Sequence, residues 1–269
     1  MNKNLTFRVV IVMIIKQANP TKKLFITILF MATICSMAQP LRAQQLRLGI
    51  FKFAPWGVSE GNKISGIIWE YYQAMLKDAN LDANITLLPY PRMIKQLIDG
   101  KLDCAIFTKN LEPFQDIAYL YDLTTVAISR KGTHITKYDD FKNKSVGFAN
   151  GTNRIYPKLF NDPEIPHHIL PSLHQAPQML ARKRVDIVIG MKYTMLYEFR
   201  QQELMNITNI PWYEIKKVPV WLQCGNQIEV NSATITRLKA AALKLKANGL
   251  FEEIIKKWLS SDVQPNHQH

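Results

Sequence analysis

The chain has 269 residues, of which 47% are hydrophobic and 20% charged. This composition excludes a wholly disordered protein, and the length can bury one large hydrophobic core or two modest ones. The formal net charge is +13, but residues 1–43 contain six bases and no acid, so +7 remains for the rest of the chain. The remaining bases are dispersed, and we predict no nucleic-acid partner.

The N-terminal segment has the composition of a secretory signal peptide. Two lysines precede the apolar run LFITILFMATICSM, and the residues LRA follow before Gln44. Charged, apolar and cleavage regions in this order predict export. We expect cleavage after Ala43, with Ala38 as the second choice, and a mature protein in the periplasm. The alternative, a retained membrane anchor, would need an apolar run of about 20 residues.

Two cysteines, Cys104 and Cys224, remain after the leader is removed. Export places them in a compartment that permits disulfides. We favour two buried thiols in strands over a bridge between them. The sequence has no CxxC, HExxH or clustered His/Cys spacing, so we predict neither a metal site nor a cofactor.

The first half of the mature chain alternates strand-like and helix-like segments. The run LRLGIF predicts a strand, followed by a loop through Pro55 and Gly57. IIWEYYQAMLKDANL has apolar residues at helical spacing, and ITLLPY predicts a second strand. RMIKQLID predicts a helix that begins at Pro91 and ends at Gly100, and LDCAIF predicts a third strand. This order favours a parallel sheet with covering helices.

The same order recurs in the second half. KYDDFKNKSVGFA predicts a short helix and a strand, and SLHQAPQMLARKRVDIVIG predicts a helix capped by Ser172 and Gln175 and another strand. TTVAISRKG and VPVWLQCG predict two connecting strands, and SATITRLKAAALKLKANG and FEEIIKKWLSS predict final helices. The fold class is therefore α/β with two lobes, each a mostly parallel sheet flanked by helices, joined by a two-strand hinge. The predicted boundaries are 46–125 and 221–262 for the first lobe, 126–220 for the second lobe and 263–269 for a tail.

These segments resemble amino-acid-type extracellular solute-binding proteins, family 3, the substrate-binding domain of transporters. The resemblance rests on LRLGIFKFAPW, SGIIWEYYQAM and PRMIKQLIDGKLDCAIF in the first half, and on ITKYDDFKNKSVGFANGT, ARKRVDIVIG and LKANGLFEEIIKKWL farther on. It covers about residues 46–260. It implies the two-lobed type II periplasmic-binding-protein fold, whose lobes close by hinge motion over a small ligand. We expect a monomer.

The resemblance also implies a ligand site between the lobes. In the family, aromatic side chains of the first lobe, the loop after its third strand and a Gly-Thr turn of the second lobe contact the ligand. The residues at these places are Phe53, Trp56, Tyr90, Thr108, Asn110, Gly151 and Thr152.

Four bases lie near the same rim, namely Arg92, Lys109, Arg154 and Lys192. Solvated surface side chains are the alternative for each of them. We favour Arg154 as an anion-binding residue, because Pro157 keeps a regular helix from beginning before residue 154 and leaves this arginine in an exposed turn.

Two positions depart from the family pattern. Relatives that bind α-amino acids place an arginine where Phe114 or Gln115 stands here, and an aspartate where Met191 stands here. These two groups pair with the carboxylate and the ammonium of the ligand, and an unpaired charge in a closed cleft costs several kcal/mol. We therefore predict an acidic or aromatic ligand rather than a standard α-amino acid in the usual pose.

Three functions compete on this fold. The first is a solute-binding protein that delivers its ligand to an inner-membrane permease of an ABC-type importer. The second is a sensor that contacts a membrane receptor. The third, an enzyme resembling cyclohexadienyl dehydratase, would need a cleft acid or histidine for proton transfer. We do not predict an enzyme, because Met191 replaces the acid and His167, His168 and His174 are expected near a loop and a helix start.

Overall fold

The computed structural model describes residues 45–109, 114–149, 156–209 and 211–260. The predicted signal peptide and the predicted tail lie outside these ranges. Within them, no helix has the length and apolar character needed to cross a membrane.

The described elements alternate between strands and helices along most of the chain. The strands are β1 (Leu46–Phe51), β2 (Val58–Glu60), β3 (Lys63–Ser65), β4 (Ala83–Leu88), β5 (Cys104–Thr108), β6 (Gln115–Ser129), β7 (Val146–Ala149), β8 (His167–Leu170), β9 (Ile187–Met191) and β10 (Tyr213–Cys224). The α-helices are α1 (Ile67–Ala79), α2 (Tyr90–Ile98), α3 (Pro157–Phe160), α4 (Ala176–Ala181), α5 (Lys192–Gln201), α6 (Ala233–Ala247) and α7 (Leu250–Leu259). Short 3-10 helices cover Tyr138–Phe141, Leu173–Gln175 and Met205–Ile207.

One continuous sheet of eight strands has the order β4-β1-β5-β10-β6-β9-β7-β8. Strands β4, β1 and β5 are mutually parallel at one end, and β9, β7 and β8 are parallel at the other. The antiparallel strands β10 and β6 join the two parallel sets. Helices flank this sheet, and the predicted α/β fold class is confirmed. The lobe boundaries remain predictions.

The joining strands are longer than the sequence patterns indicated. β6 has 15 residues and β10 has 12, whereas only TTVAISRKG and VPVWLQCG were expected as strands. β6 also includes QDIAYLYD, which pairs with the later part of β10 from Pro219 to Cys224. The segment between β1 and α1, where a loop through Pro55 and Gly57 was expected, contains a small hairpin, β2–β3, whose strands have three residues each and turn at Gly61 with a φ of 56°.

Helix α1 illustrates how sequence spacing produces packing. Its buried residues Ile68, Tyr71, Tyr72 and Met75 recur at three- and four-residue intervals and so lie on one face. The helix ends at Asn80, whose left-handed backbone has a φ of 50° and a ψ of 53°. The buried face packs against helices α6 and α7.

Buried apolar residues form core clusters in different parts of the fold. The first core cluster packs β1, β5, β6 and β10 against α1, α6 and α7, and its members include Leu48, Ile50, Trp56, Tyr71, Tyr72, Cys104, Tyr197, Leu222, Cys224, Leu238, Phe251 and Trp258. The second core cluster contains Val126, Ile128, Leu170, Leu173, Ala176, Leu180, Val185, Val188, Met195 and Phe199. The third core cluster contains Ala127, Phe141, Val146, Phe148, Tyr156, Leu159, Ile165, Ile187 and Ile189.

A disulfide joins Cys104 of β5 to Cys224 of β10. The two residues are direct partners in the antiparallel pairing, with Cα atoms 4.0 Å apart, and both are fully buried. Our preference for two free thiols was wrong. Each cysteine was correctly expected in a buried strand, but the register that places them opposite each other depends on a pairing between distant parts of the chain.

Raising the pH above about 10 is expected to destabilise the protein through its buried tyrosines. Burial raises the pKa of Tyr71, Tyr72 and Tyr121. Burial, together with the nearby acids Glu198 and Glu60, raises the pKa of Tyr197 to about 12. The unfolded chain ionises its tyrosines near pH 10. The contribution of these phenols to stability is therefore complete below about pH 10 and is lost as the pH rises through their folded-state pKa values.

Urea unfolding midpoints at about pH 9 and pH 11, recorded with tyrosinate absorbance, measure this effect. We expect a lower midpoint at the higher pH and a late group of tyrosines that ionise only on unfolding. An unchanged midpoint, with all ten tyrosines ionising in the folded state, would contradict the expectation.

Candidate ligand site

The candidate site lies beside β6 and β10, where both parallel sets of strands have their carboxyl ends. β1 and β5 are parallel and end at Phe51 and Thr108, while β9, from the other set, ends at Met191. Thr108 lies across from Val220 in β10, and Met191 lies across from Thr125 near the middle of β6. The carboxyl ends of both sets therefore meet beside the same stretch of β6. Open α/β sheets usually bind their ligands at such ends.

A cavity of about 210 Å³ occupies this position. Aromatic and aliphatic side chains form most of its wall. The lining residues are Phe51, Lys52, Phe53, Trp56, Tyr90, Phe107, Thr108, Tyr121, Leu123, Met191 and Val220.

Stacked aromatic rings form one wall of the cavity. The Trp56 indole lies nearly parallel to the Tyr121 ring, with centroids 5.8 Å apart and an interplanar angle of 12°. Phe251 of α7 stacks behind Tyr121 at 4.0 Å. The indole Nε1 of Trp56 donates a hydrogen bond of 2.9 Å to Oγ1 of Thr194 in α5. These contacts fix the wall from two helices.

Tyr90 stands at the opening. It begins α2, and its side chain contacts Phe51 and Phe107 edge to face, with centroids 6.1 and 6.5 Å away. The residue is 38% exposed. Burial of the ring raises the pKa of Tyr90, and a hydrogen bond with the Thr108 side chain partly offsets that rise. The phenol therefore stays neutral at physiological pH and can donate a hydrogen bond.

Lys52 is the charged residue among the described lining side chains. It follows β1 directly, is exposed, and its backbone N–H donates to the Leu88 carbonyl at 2.7 Å. No aspartate or glutamate belongs to the described part of the lining. The described wall therefore combines an apolar, aromatic surface with one cation.

Five of the predicted ligand residues are brought together at this cavity: Phe53, Trp56, Tyr90, Thr108 and Met191. Their role in binding remains a prediction. Asn110, Gly151, Thr152 and Arg154 lie outside the described residues. The predicted contact between the Gly151-Thr152 turn and the ligand therefore remains a prediction from the sequence.

The other predicted bases do not line this cavity. Arg92 is exposed in the first turn of α2. Lys192 pairs with Glu214, with Nζ 3.1 Å from the carboxylate oxygen. Lys109 pairs with Asp116 at 2.5 Å and lies over the Trp221 ring. The ammonium groups of Lys192 and Lys109 therefore have carboxylate partners within the protein.

The two departures from the family pattern have structural counterparts. Phe114 packs edge to face on the lining residue Phe107, with centroids 5.4 Å apart. The Gln115 amide donates to the carbonyls of Gly225 and Ile228 at 3.0 and 2.9 Å. Phe114 therefore packs against the cavity lining, and Gln115 connects the start of β6 to the loop that follows β10. Met191, at the end of β9, contributes its side chain to the cavity wall.

Six lining residues were not anticipated from the sequence: Phe51, Lys52, Phe107, Tyr121, Leu123 and Val220. Phe51 and Lys52 lie within two positions of the predicted residue Phe53, and Phe107 precedes the predicted residue Thr108. Their places at the ends of β1 and β5 could therefore have identified them from the sequence. Tyr121, Leu123 and Val220 come from the middle of strands whose length was underestimated. Their alternation in β6 and pairing in β10 bring them to the cavity.

The histidines of the described part of the chain do not line the cavity. His167 and His168 are the first two residues of β8, directly after a loop, and both are exposed. His174 contacts the buried Glu198, with Nδ1 2.7 Å from Oε2. Among the described residues, no group of three or more His, Cys, Asp or Glu side chains could hold a metal ion.

The chain matches no protein-family profile. It is similar to the "Probable amino-acid-binding protein YxeM" of Bacillus subtilis, with 21% identity over 225 residues, covering 80% of this chain and 83% of that protein. It is also similar to the "ABC transporter arginine-binding protein 1" of Escherichia coli, with 23% identity over 228 residues, covering 80% of this chain and 91% of that protein. These relatives confirm the resemblance to amino-acid-type solute-binding proteins.

Solved structures share the fold. An ancestral arginine-binding protein bound to arginine superposes with a TM-score of 0.61 and 22% identity, covering 80% of this chain and 98% of that one. A histidine kinase sensor domain with similarity to periplasmic binding proteins superposes with a TM-score of 0.62 and 16% identity, covering 81% of this chain and 97% of that one. At such identities the likeness establishes the periplasmic-binding-protein fold.

Proposed function

We propose that this protein is a non-enzymatic periplasmic binding protein that captures a single-ring aromatic carboxylate and delivers it to an ABC-type importer. The observation that carries the proposal is the aromatic cavity with Lys52 on its wall and no described acid beside it. The similarity to transporter binding proteins supports the delivery role. The N-terminal signal-like segment supports export.

The size of the cavity supports a ligand with one ring. An apolar protein cavity of about 150 Å³ can bind benzene. The present cavity, of about 210 Å³, therefore has room for a ring with a short substituent. Trp56, Tyr121 and Phe107 offer ring faces and edges against which an aromatic ligand can pack.

The charges support an acid over an amino acid. Lys52 can pair with a carboxylate at the mouth, and the Tyr90 and Thr108 hydroxyls lie on the same wall. An ammonium or guanidinium in this cavity would meet no carboxylate among the described lining residues. Burying an unpaired cation costs several kcal/mol. Arginine, which the name of one relative specifies, therefore fits the described wall less well than an aromatic acid.

A ligand screen on the mature chain from Gln44 onward tests this proposal. Thermal unfolding is followed with phenylacetate, phenethylamine, arginine and glutamate, each in excess. A ligand at about 100 times its dissociation constant adds roughly 2.7 kcal/mol, or a midpoint shift of several degrees. We expect a shift with phenylacetate and none with phenethylamine. A shift with arginine alone would overturn the ligand class and keep the binding role, whereas slow conversion of phenylacetate would indicate an enzyme.

Replacing Lys52 tests the proposed anion contact. Lys52→Met is expected to weaken phenylacetate binding about 10-fold, because a charge-assisted hydrogen bond contributes roughly 1.5–3 kcal/mol and this side chain is exposed. Lys52→Arg should retain most of the affinity. Titration calorimetry of both variants measures the effect. Equal affinity of Lys52→Met and the unmodified protein would place the carboxylate elsewhere, for example beside the predicted Arg154.

A sensor role is the second candidate, since a histidine kinase sensor domain shares this fold. Uptake of labelled phenylacetate by cells lacking this protein separates the two roles. Importer function predicts that uptake falls and returns with the restored gene. A sensor predicts unchanged initial uptake and an altered transcriptional response.

A further inference from the structure

A hydrogen bond links the cavity wall to a residue outside the cavity. Nε1 of Trp56 donates to Oγ1 of Thr194 over 2.9 Å, and both residues are 1% exposed. Trp56 lines the cavity, whereas Thr194 lies in the first turn of α5 and does not. A buried indole N–H needs a partner, because leaving it unpaired carries a desolvation penalty. Thr194 supplies that partner.

Helix α5 belongs to two cores at once. Its residues Met195 and Phe199 are members of the second core cluster. Its residue Tyr197 is a member of the first core cluster, as is Trp56. The bond from Trp56 to Thr194 therefore joins the wall of the cavity to a helix that is anchored in both clusters.

Stacking limits how the indole can move. Tyr121 lies nearly parallel to the indole, and the Tyr193 ring contacts it at 60° with centroids 6.3 Å apart. If the indole tilts to widen the cavity, it must lose the stacking on Tyr121 and the bond to Thr194 together. If α5 shifts, it must pull on the same bond. The position of α5 and the shape of the cavity are therefore coupled.

We propose that Thr194 is a positioning residue that fixes the Trp56 indole and couples helix α5 to the ligand cavity, so that ligand exchange requires the Trp56–Thr194 bond to break. The positioning of the indole by Thr194 concerns the protein alone. The requirement that the bond break during ligand exchange rests on the proposed function, since it needs a ligand in this cavity.

The chain offers a matched control. Nε1 of Trp212 donates to Oγ1 of Thr208 at 3.3 Å, and neither residue lines the cavity. Thr208 is also buried. Thr208→Val therefore removes a comparable tryptophan–threonine bond at another place, whereas Thr194→Ser keeps a hydroxyl at the proposed place.

Indole N–H exchange tests the positioning role without a ligand. The five tryptophans give indole signals in ¹⁵N NMR spectra, and Trp56→Phe assigns one of them. We expect Thr194→Val to speed exchange of the Trp56 indole proton about five-fold or more, the factor that a typical hydrogen bond represents. Thr194→Ser should preserve the slow exchange, and Thr208→Val should change the Trp212 signal instead. Unchanged Trp56 exchange in Thr194→Val overturns the proposal.

Ligand kinetics test the coupling. In stopped-flow measurements with phenylacetate, Thr194→Val is expected to raise the dissociation rate constant about five-fold. Thr194→Ser should stay within about two-fold of the unmodified protein, and Thr208→Val should not change the rate. Equal effects of Thr194→Val and Thr208→Val would show a general loss of stability and overturn the coupling. If phenylacetate does not bind the unmodified protein, the proposed ligand class fails, and indole exchange alone decides the role of Thr194.

Discussion

Loss of the Cys104–Cys224 disulfide is expected to lower the free energy of unfolding by about 2–5 kcal/mol. The bond joins residues 120 positions apart, so it closes a long loop and restricts the unfolded chain strongly. In a protein of this size such a loss lowers the thermal midpoint by roughly 5–15 °C. We expect this result for the Cys104→Ala, Cys224→Ala double variant.

Thermal unfolding with and without dithiothreitol measures the effect, and the double variant is the control that should not respond to the reductant. Both cysteines are fully buried, so reduction is expected only after incubation under partly unfolding conditions. Thiol titration of the denatured, unreduced mature protein should find no free thiol. Two reactive thiols, or a double variant as stable as the unmodified protein, would contradict the expectation.

Truncation of Phe251 is expected to destabilise the protein by about 3–5 kcal/mol and to weaken ligand binding. The side chain is 1% exposed, and its removal leaves a cavity in the first core cluster. It stacks on Tyr121 at 4.0 Å and contacts Tyr71 edge to face at 5.3 Å. Because Tyr121 lines the candidate ligand cavity, Phe251→Ala removes the support behind that wall.

Phe148→Ala is the matched control, because Phe148 is also fully buried but belongs to the third core cluster. Urea unfolding should show losses of similar size for the two variants. Calorimetry with phenylacetate, at a temperature where both are folded, should show weaker binding only for Phe251→Ala. Phe251→Leu should recover part of both properties. Equal affinities of the two alanine variants would contradict the support role.

The sequence was informative where local pattern determines structure. The apolar runs at Leu46–Phe51 and Ile187–Met191 predicted strands, and the spacing of Ile68, Tyr71 and Met75 predicted the buried face of α1. Aromatic residues at strand ends pointed to Phe53, Trp56 and Tyr90, which do line one cavity. Such features depend on neighbours only a few positions away.

The sequence was less informative where pairing between distant segments determines structure. The register of β5 against β10 brings Cys104 to Cys224, and no local pattern encodes it. The pairing of β10 with β6, another contact between distant segments, brings Val220 beside Tyr121 at the cavity. Lys192 was a candidate ligand residue with solvated surface as the alternative, and its ammonium meets Glu214 of β10, a residue 22 positions away. Partners of this kind become visible only in three dimensions.

The distribution of the core clusters along the chain has a consequence for the order of folding. All buried members of the second and third clusters lie between Val126 and Phe199. Those of the first cluster extend from Leu46 to Leu259. The central segment can therefore form the second and third clusters from contiguous chain. The first cluster can be completed only when α7, near the end of the chain, packs against residues near its start. Contacts between such distant segments form slowly. We expect the disulfide, which needs β10 in place, to form late.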